Sequence, residues 1–98
     1  MFETEVLAGI EVAEEKGLDW KAAALNPFFD IVRADSCILG LTKGSYWQAK
    51  QEWGVDQYWM ECHGFLTPES LCGDDWNHAS AELGETWRRA ARGELVNV

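Results

Sequence analysis

Five residues carry the thiols and imidazoles of this chain: Cys37, Cys62, His63, Cys72 and His78. In number they would suffice for a tetrahedral zinc site. Their spacing does not match one: there is no C-x2-C pair, and the adjacent Cys62-His63 is poorly placed to ligate one ion with both side chains. A Cys-His dyad built on Cys37 with His63 or His78 is the nucleophilic alternative, since such partners are distant in sequence. No nucleophile elbow and no Gly-rich phosphate loop accompanies it. The acid pairs Asp74-Asp75 and Glu14-Glu15 have the chemistry for acid–base work, but they stand where helix caps and solvated faces are expected. No catalytic residue, metal ligand or cofactor is assigned, and the chain reads as a binding protein rather than an enzyme.

Charge and aromatic content say more. The 98 residues carry a net charge of −9. Between Lys50 and Arg88 there is no Lys or Arg, yet Glu52, Asp56, Glu61, Glu69, Asp74, Asp75, Glu82 and Glu85 fall there. Five more acids lie in the first fifteen residues. Such a chain is repelled by nucleic acid and by anionic membranes, so a charged partner is expected to be basic. Six Trp in so small a domain are hard to bury completely. Trp53, Trp76 and Trp87 fit the core faces of helices. Trp47 and Trp59 fall off those faces, beside acids. The predicted partner-binding surface is therefore Trp47 and Trp59 with Glu52, Asp56 and Glu61, the amphipathic aromatics and rim charges of a protein-binding hot spot.

The elements that must position these residues read as helices. Phe2, Val6, Ile10 and Ala13 recur at helical spacing over 2–16, and Gly17 stops that helix. Asp19 caps a short helix from Trp20 to Leu25, ended by Asn26-Pro27. The apolar FFDIV segment is read as a helical turn. Asp35 and Ser36 are the cap candidates for a helix carrying Cys37 to Leu41, with Gly40 admitting another helix closely. Ser45 opens a helix with Gln48 three residues on, and Gly54 stops it. Asp56 caps the next, through Trp59 and Cys62 to Gly64. Thr67-Pro68-Glu69 reads as a further helix start. Asp74 caps the last helix, in which Trp76, Ala79, Leu83, Trp87 and Ala90 form one face, Glu85 pairs with Arg89, and Gly93 is the stop. The tail ELVNV is expected to fray. Strand-like alternation is absent. The fold class is mainly α: one compact acidic domain over 1–98, with longer terminal helices and several short ones between.

From Asp35 to Tyr46, DSCILGLTKGSY resembles a group of small, mostly uncharacterised proteins encoded by bacteriophages of actinobacteria. The residues that carry the likeness are Cys37, Ile38, Leu39, Gly40, Gly44 and Tyr46, then Gly64-Phe65, then Asp75, Trp76, Leu83, Trp87 and Arg88 at scattered positions. Leu41 stands where the group often has Gln. The resemblance implies a phage origin and a place in the host cytoplasm, and it implies no established activity. The acidic opening MFETEVLAGIEVAEE, which lacks the positive charge of a secretory leader, and the odd cysteine count agree with a reducing compartment. No stretch approaches the length of a membrane span. The reading is a phage accessory protein whose acidic, Trp-bearing face occludes a basic or apolar site on a host protein, such as a defence or nucleic-acid-handling factor. The alternatives are a zinc-stabilised module, a self-associating structural protein, and a Cys-dependent enzyme.

Overall fold

The computed structural model describes residues 2–95. Of these, 62% are helical and none lies in a strand. Six helices follow one another: α1 Glu3–Glu15, α2 Trp20–Leu25, α3 Ile38–Lys43, α4 Tyr46–Trp53, α5 Gln57–Cys62 and α6 Gly73–Ala91. The helix α6 packs chiefly on α2 and also on α1, while α1 reaches α5. The short helices α3 and α4 continue the layer from α2.

Four of these helices have eight residues or fewer, too short to persist alone. Caps and packing hold them. Asp19 accepts from Ala22 N at 3.3 Å, Ser45 from Gln48 N at 2.9 Å and Asp56 from Trp59 N at 2.8 Å. Each cap satisfies one of the unpaired amides that open a helix. The long α6 has no side-chain cap bond. Its N-cap is Cys72, and Asp74 and Asp75 lie within its first turn, where their charge favours the helix dipole. The expected Asp74 cap is thus displaced by two residues. Glu85 is engaged by Arg92 at 3.0 Å, seven residues on, instead of the anticipated Arg89.

Three other readings change. The segment from Asn26 to Cys37 forms neither a strand nor a helix but a run of turns. Asn26 Oδ1 accepts from Phe28 N at 2.8 Å and Asp30 Oδ1 from Val32 N at 3.1 Å. These local bonds give the backbone an alternative to the helix. Phe29 and Ile31 turn inward while Phe28 and Val32 stay exposed. Next, neither Asp35 nor Ser36 caps α3. Cys37 does, its sulfur accepting from Gly40 N at 3.4 Å. What lies close to Gly40 is the chain's own Ala34–Asp35 backbone, not another helix. Lastly, Thr67 starts no helix. Its side chain is buried and its hydroxyl meets Ser80 Oγ at 2.8 Å.

That buried pair makes a test. Thr67→Val is expected to cost about 1–2 kcal/mol, because the Ser80 hydroxyl then sits in the core unpaired. Adding Ser80→Ala should recover most of the loss. Urea unfolding of the two variants reads the difference.

One aromatic chain runs through the core. Trp87 is fully buried and donates from Nε1 to Gly64 O at 2.6 Å. Its ring meets Trp20 edge-on at 5.9 Å and stacks on Phe65 at 5.6 Å. Phe65 in turn meets Trp53 at 6.2 Å and Trp59 at 6.3 Å. Four of the six Trp thus belong to one cluster, which joins α2, α4, α5 and α6 through the loop residue Phe65. The expected frayed tail falls in part on 96–98, outside the described residues. Within them, Glu94 pairs with Arg92 at 2.6 Å and Leu95 packs against the core.

Candidate functional site

The aromatic cluster decides which Trp are available to a partner. Trp53 and Trp59 are half-buried and packed on the core, and Trp59 stacks face to face on His63 at 3.9 Å. Trp76 is also half-buried. Trp47 is different, with 63% of its surface exposed. It follows the buried Tyr46 at the start of α4, and the two rings meet edge-on at 5.0 Å. Lys50, one turn on, places its ammonium 5.6 Å from the Trp47 ring.

Trp47 stands at the side of a groove of about 240 Å³. The buried floor is Ile31, Cys37, Tyr46 and Phe65. Val32, Ala34 and Leu66 continue the apolar wall. Arg33, Gln57 and Glu69 supply the polar part of the lining. The groove exists because the 31–37 turns lie beside the start of α4 and the 65–69 loop. Just before those turns, Arg88 ties α2 and the 26–30 segment to α6, donating from Nε to Ala24 O at 3.4 Å and from Nη2 to Phe29 O at 3.3 Å. A second hollow of about 300 Å³ shares Ile31 and Val32 with the first and continues past Trp76 to Arg88. Val32, 45% exposed, is thus a ridge between two hollows.

No family model, curated protein or solved structure matches the chain.

Of the five predicted binding residues, one lines the groove: Trp47. Glu61 stands behind it, lining the neighbouring hollow with Tyr58 and Pro68, while its carboxylate accepts from Glu69 N at 3.4 Å. Burial pushes the Tyr46 phenol up, and the nearby Cys37, Glu61 and Glu69 act in the same direction. The other three serve different ends. Trp59 is half-buried in the aromatic cluster rather than presented, because Phe65, beyond the end of α5, and Trp53 pack against it. Glu52 pairs with Lys43 at 2.8 Å, bracing α4 against α3. Asp56 caps α5. The sequence reading missed Val32, Leu66 and Glu69. Glu69 carried a signal, its place in the base-free acidic run. Val32 and Leu66 carried none, because their exposure depends on turns and distant packing.

The thiols and imidazoles do not gather. Among the described residues no three His, Cys, Asp or Glu side chains could together hold a metal ion. Cys37 is buried, while Cys62 and Cys72 are exposed. Burial pushes the Cys37 thiol up, away from the thiolate that a nucleophile needs. Its sulfur serves as a helix cap. The native protein is expected to take up two equivalents of iodoacetamide quickly, at Cys62 and Cys72, and the third only on unfolding. Mass spectrometry after timed quenching reads this, and early labelling of Cys37 would contradict the assignment. Among the described residues no helix is long and apolar enough to cross a membrane.

Proposed function

We propose that this chain works by binding another protein through the Trp47 face. The observation that carries the reading is the contrast among the Trp. Four share one core cluster, while Trp47 keeps 63% of its surface exposed beside an apolar groove. An exposed indole next to a small hollow has the make-up of an interface hot spot: a rigid apolar body with a polar N–H. The net charge of −9 favours a basic partner and speeds its encounter at low salt. Docking there would cover a basic or apolar site on the partner and so block it. The likeness to actinobacteriophage proteins makes that partner a host protein in the host cytoplasm.

The test is capture from host lysate by the immobilised chain and by Trp47→Ala, at about 0.05 M and about 0.5 M salt. A basic protein held at low salt by the wild type, shed at high salt and lost with Trp47→Ala is the expected result. Loss of a hot-spot Trp costs about 2 kcal/mol or more, close to 30-fold in affinity. Capture indifferent to both salt and Trp47 would overturn the reading.

A further inference from the structure

We infer that the groove beside Trp47 accepts one aromatic or branched apolar side chain from an exposed segment of the partner, with Lys or Arg next to that anchor in sequence. This rests on the reading that the Trp47 face is the docking surface, and it adds what the surface selects.

Size and lining set the anchor. About 240 Å³ suits a single Phe, Leu or Ile side chain and is too small for a helix. The floor is apolar and buried, formed by Ile31, Phe65 and the Tyr46 ring. The buried lining is mainly apolar, with the Tyr46 hydroxyl as its polar group, so burying apolar surface is the main gain available there.

Charge sets the neighbours. Glu69 lines the groove, and the Glu61 carboxylate lies against the Glu69 backbone. Glu69 is therefore the carboxylate of the lining, with Glu61 behind it at the neighbouring hollow. Arg33, also in the lining, stands 3.7 Å from Asp35, so its positive charge is offset. Lys50 is drawn toward the face of Trp47. An acidic segment would set its charge against Glu69, whereas a Lys or Arg beside the anchor pairs with it.

The experiment titrates the 15N-labelled protein with blocked five-residue peptides. The first is Gly-Lys-Phe-Lys-Gly, the second replaces Phe by Ala, and the third replaces both Lys by Glu. The first is expected to shift the Trp47, Leu66 and Glu69 amide signals with a dissociation constant on the order of 1 mM, the strength one buried side chain supplies. The Ala peptide should bind about tenfold more weakly. The Glu peptide should bind about fivefold more weakly at low salt. Ala34→Leu, which adds bulk to the wall, should abolish the shifts. Glu69→Lys, an exposed change that leaves the fold alone, should reverse the preference between the Lys and Glu peptides.

Equal binding of the Ala peptide would overturn the anchor. Equal binding of the Glu peptide, or no reversal in Glu69→Lys, would overturn the charge selection. Shifts centred elsewhere, or the same shifts on concentrating the protein without peptide, would overturn the assigned occupant, the latter in favour of a second copy of this chain. No peptide binding together with Trp47-dependent capture from lysate would remove this inference and leave the docking surface standing. Peptide binding with Trp47-independent capture would do the reverse.

Discussion

Trp87→Ala is expected to lower stability by about 4 kcal/mol, the usual range for deleting a large buried aromatic being about 3–5. For a domain of this size that corresponds to roughly 20 °C in Tm. The reason is position. Trp87 is fully buried, and its ring links α6 to α2 through Trp20 and to the 64–65 loop through Phe65. Its indole N–H also satisfies the Gly64 carbonyl at 2.6 Å. Truncation removes the ring, opens a cavity and leaves that carbonyl without its donor. Trp87→Phe separates the effects: it keeps most of the packing and loses the donor, and about 2 kcal/mol is expected. Trp47→Ala is the control, with a change within about 0.5 kcal/mol, because its ring is largely in water. Thermal melts by circular dichroism rank the three. A Trp87→Ala loss as small as that of Trp47→Ala would contradict the role given to Trp87 as the junction of the core.

The second large effect lies at Gly9, and its sign is the informative part. Replacing a glycine inside a helix by alanine ordinarily stabilises by up to about 1 kcal/mol. At Gly9 of α1 the opposite is expected. A methyl group there would overlap the His63 carbonyl oxygen and come within 3.0 Å of two ring carbons of Trp87. Either α1 moves off the core or the end of α5 is displaced. Gly9→Ala should therefore cost about 3 kcal/mol, as overpacking against backbone commonly does. Gly84 of α6 is the comparison. A methyl there would meet Phe29 at 3.7 Å and Ile31 at 3.8 Å, which is ordinary contact. Gly84→Ala should raise stability by about 0.5–1 kcal/mol. Urea denaturation of both variants gives the two signs. A stabilised Gly9→Ala would mean that α1 is not seated where His63 and Trp87 place it.

The parts of this fold that follow local rules could be read from the sequence. Asp19, Ser45 and Asp56 cap their helices because the cap bond spans only three residues. Gly17 and Gly54 end helices at left-handed backbone positions that glycine adopts without strain. The inward face of α6 was visible in its spacing, with Ala79, Leu83, Trp87 and Ala90 all buried, although Trp76, read into the same face, is only half-buried. The parts that depend on distant partners were not legible. The 26–37 turns are tied at Phe29 by Arg88, from 59 residues away in sequence, and the same side chain holds α2 at Ala24. Thr67 looked like a cap, but its hydroxyl is used by Ser80 across the core. Cys37 is the core residue it looked like, but it caps α3 rather than lying inside it.

The same division holds for the candidate site. Trp47 was visible because it falls off the helix face that Tyr46, Ala49 and Trp53 define. Trp59 failed the same test, because its cover is Phe65, which local spacing cannot place. The six Trp do divide between core and surface, with only Trp20 and Trp87 buried. Trp20, Trp53, Trp59 and Trp87 pack around one another and Phe65, leaving Trp47 as the exposed exception and Trp76 half-buried. Of the acids, Glu69 lines the groove with Glu61 bonded to its backbone from behind, while Glu52 and Asp56 have structural partners.

The central claim is that a partner covers the Trp47 groove. Amide hydrogen exchange of the protein, alone and with the captured partner, tests it most directly. The account predicts slower exchange on binding in residues 31–36, 46–50 and 65–69, which surround the groove, with little change in the exposed first turn of α6 around Asp74 and Asp75. Protection centred on that turn, or on the outer face of α1 at Glu11 and Glu14, with the groove unchanged, would contradict it.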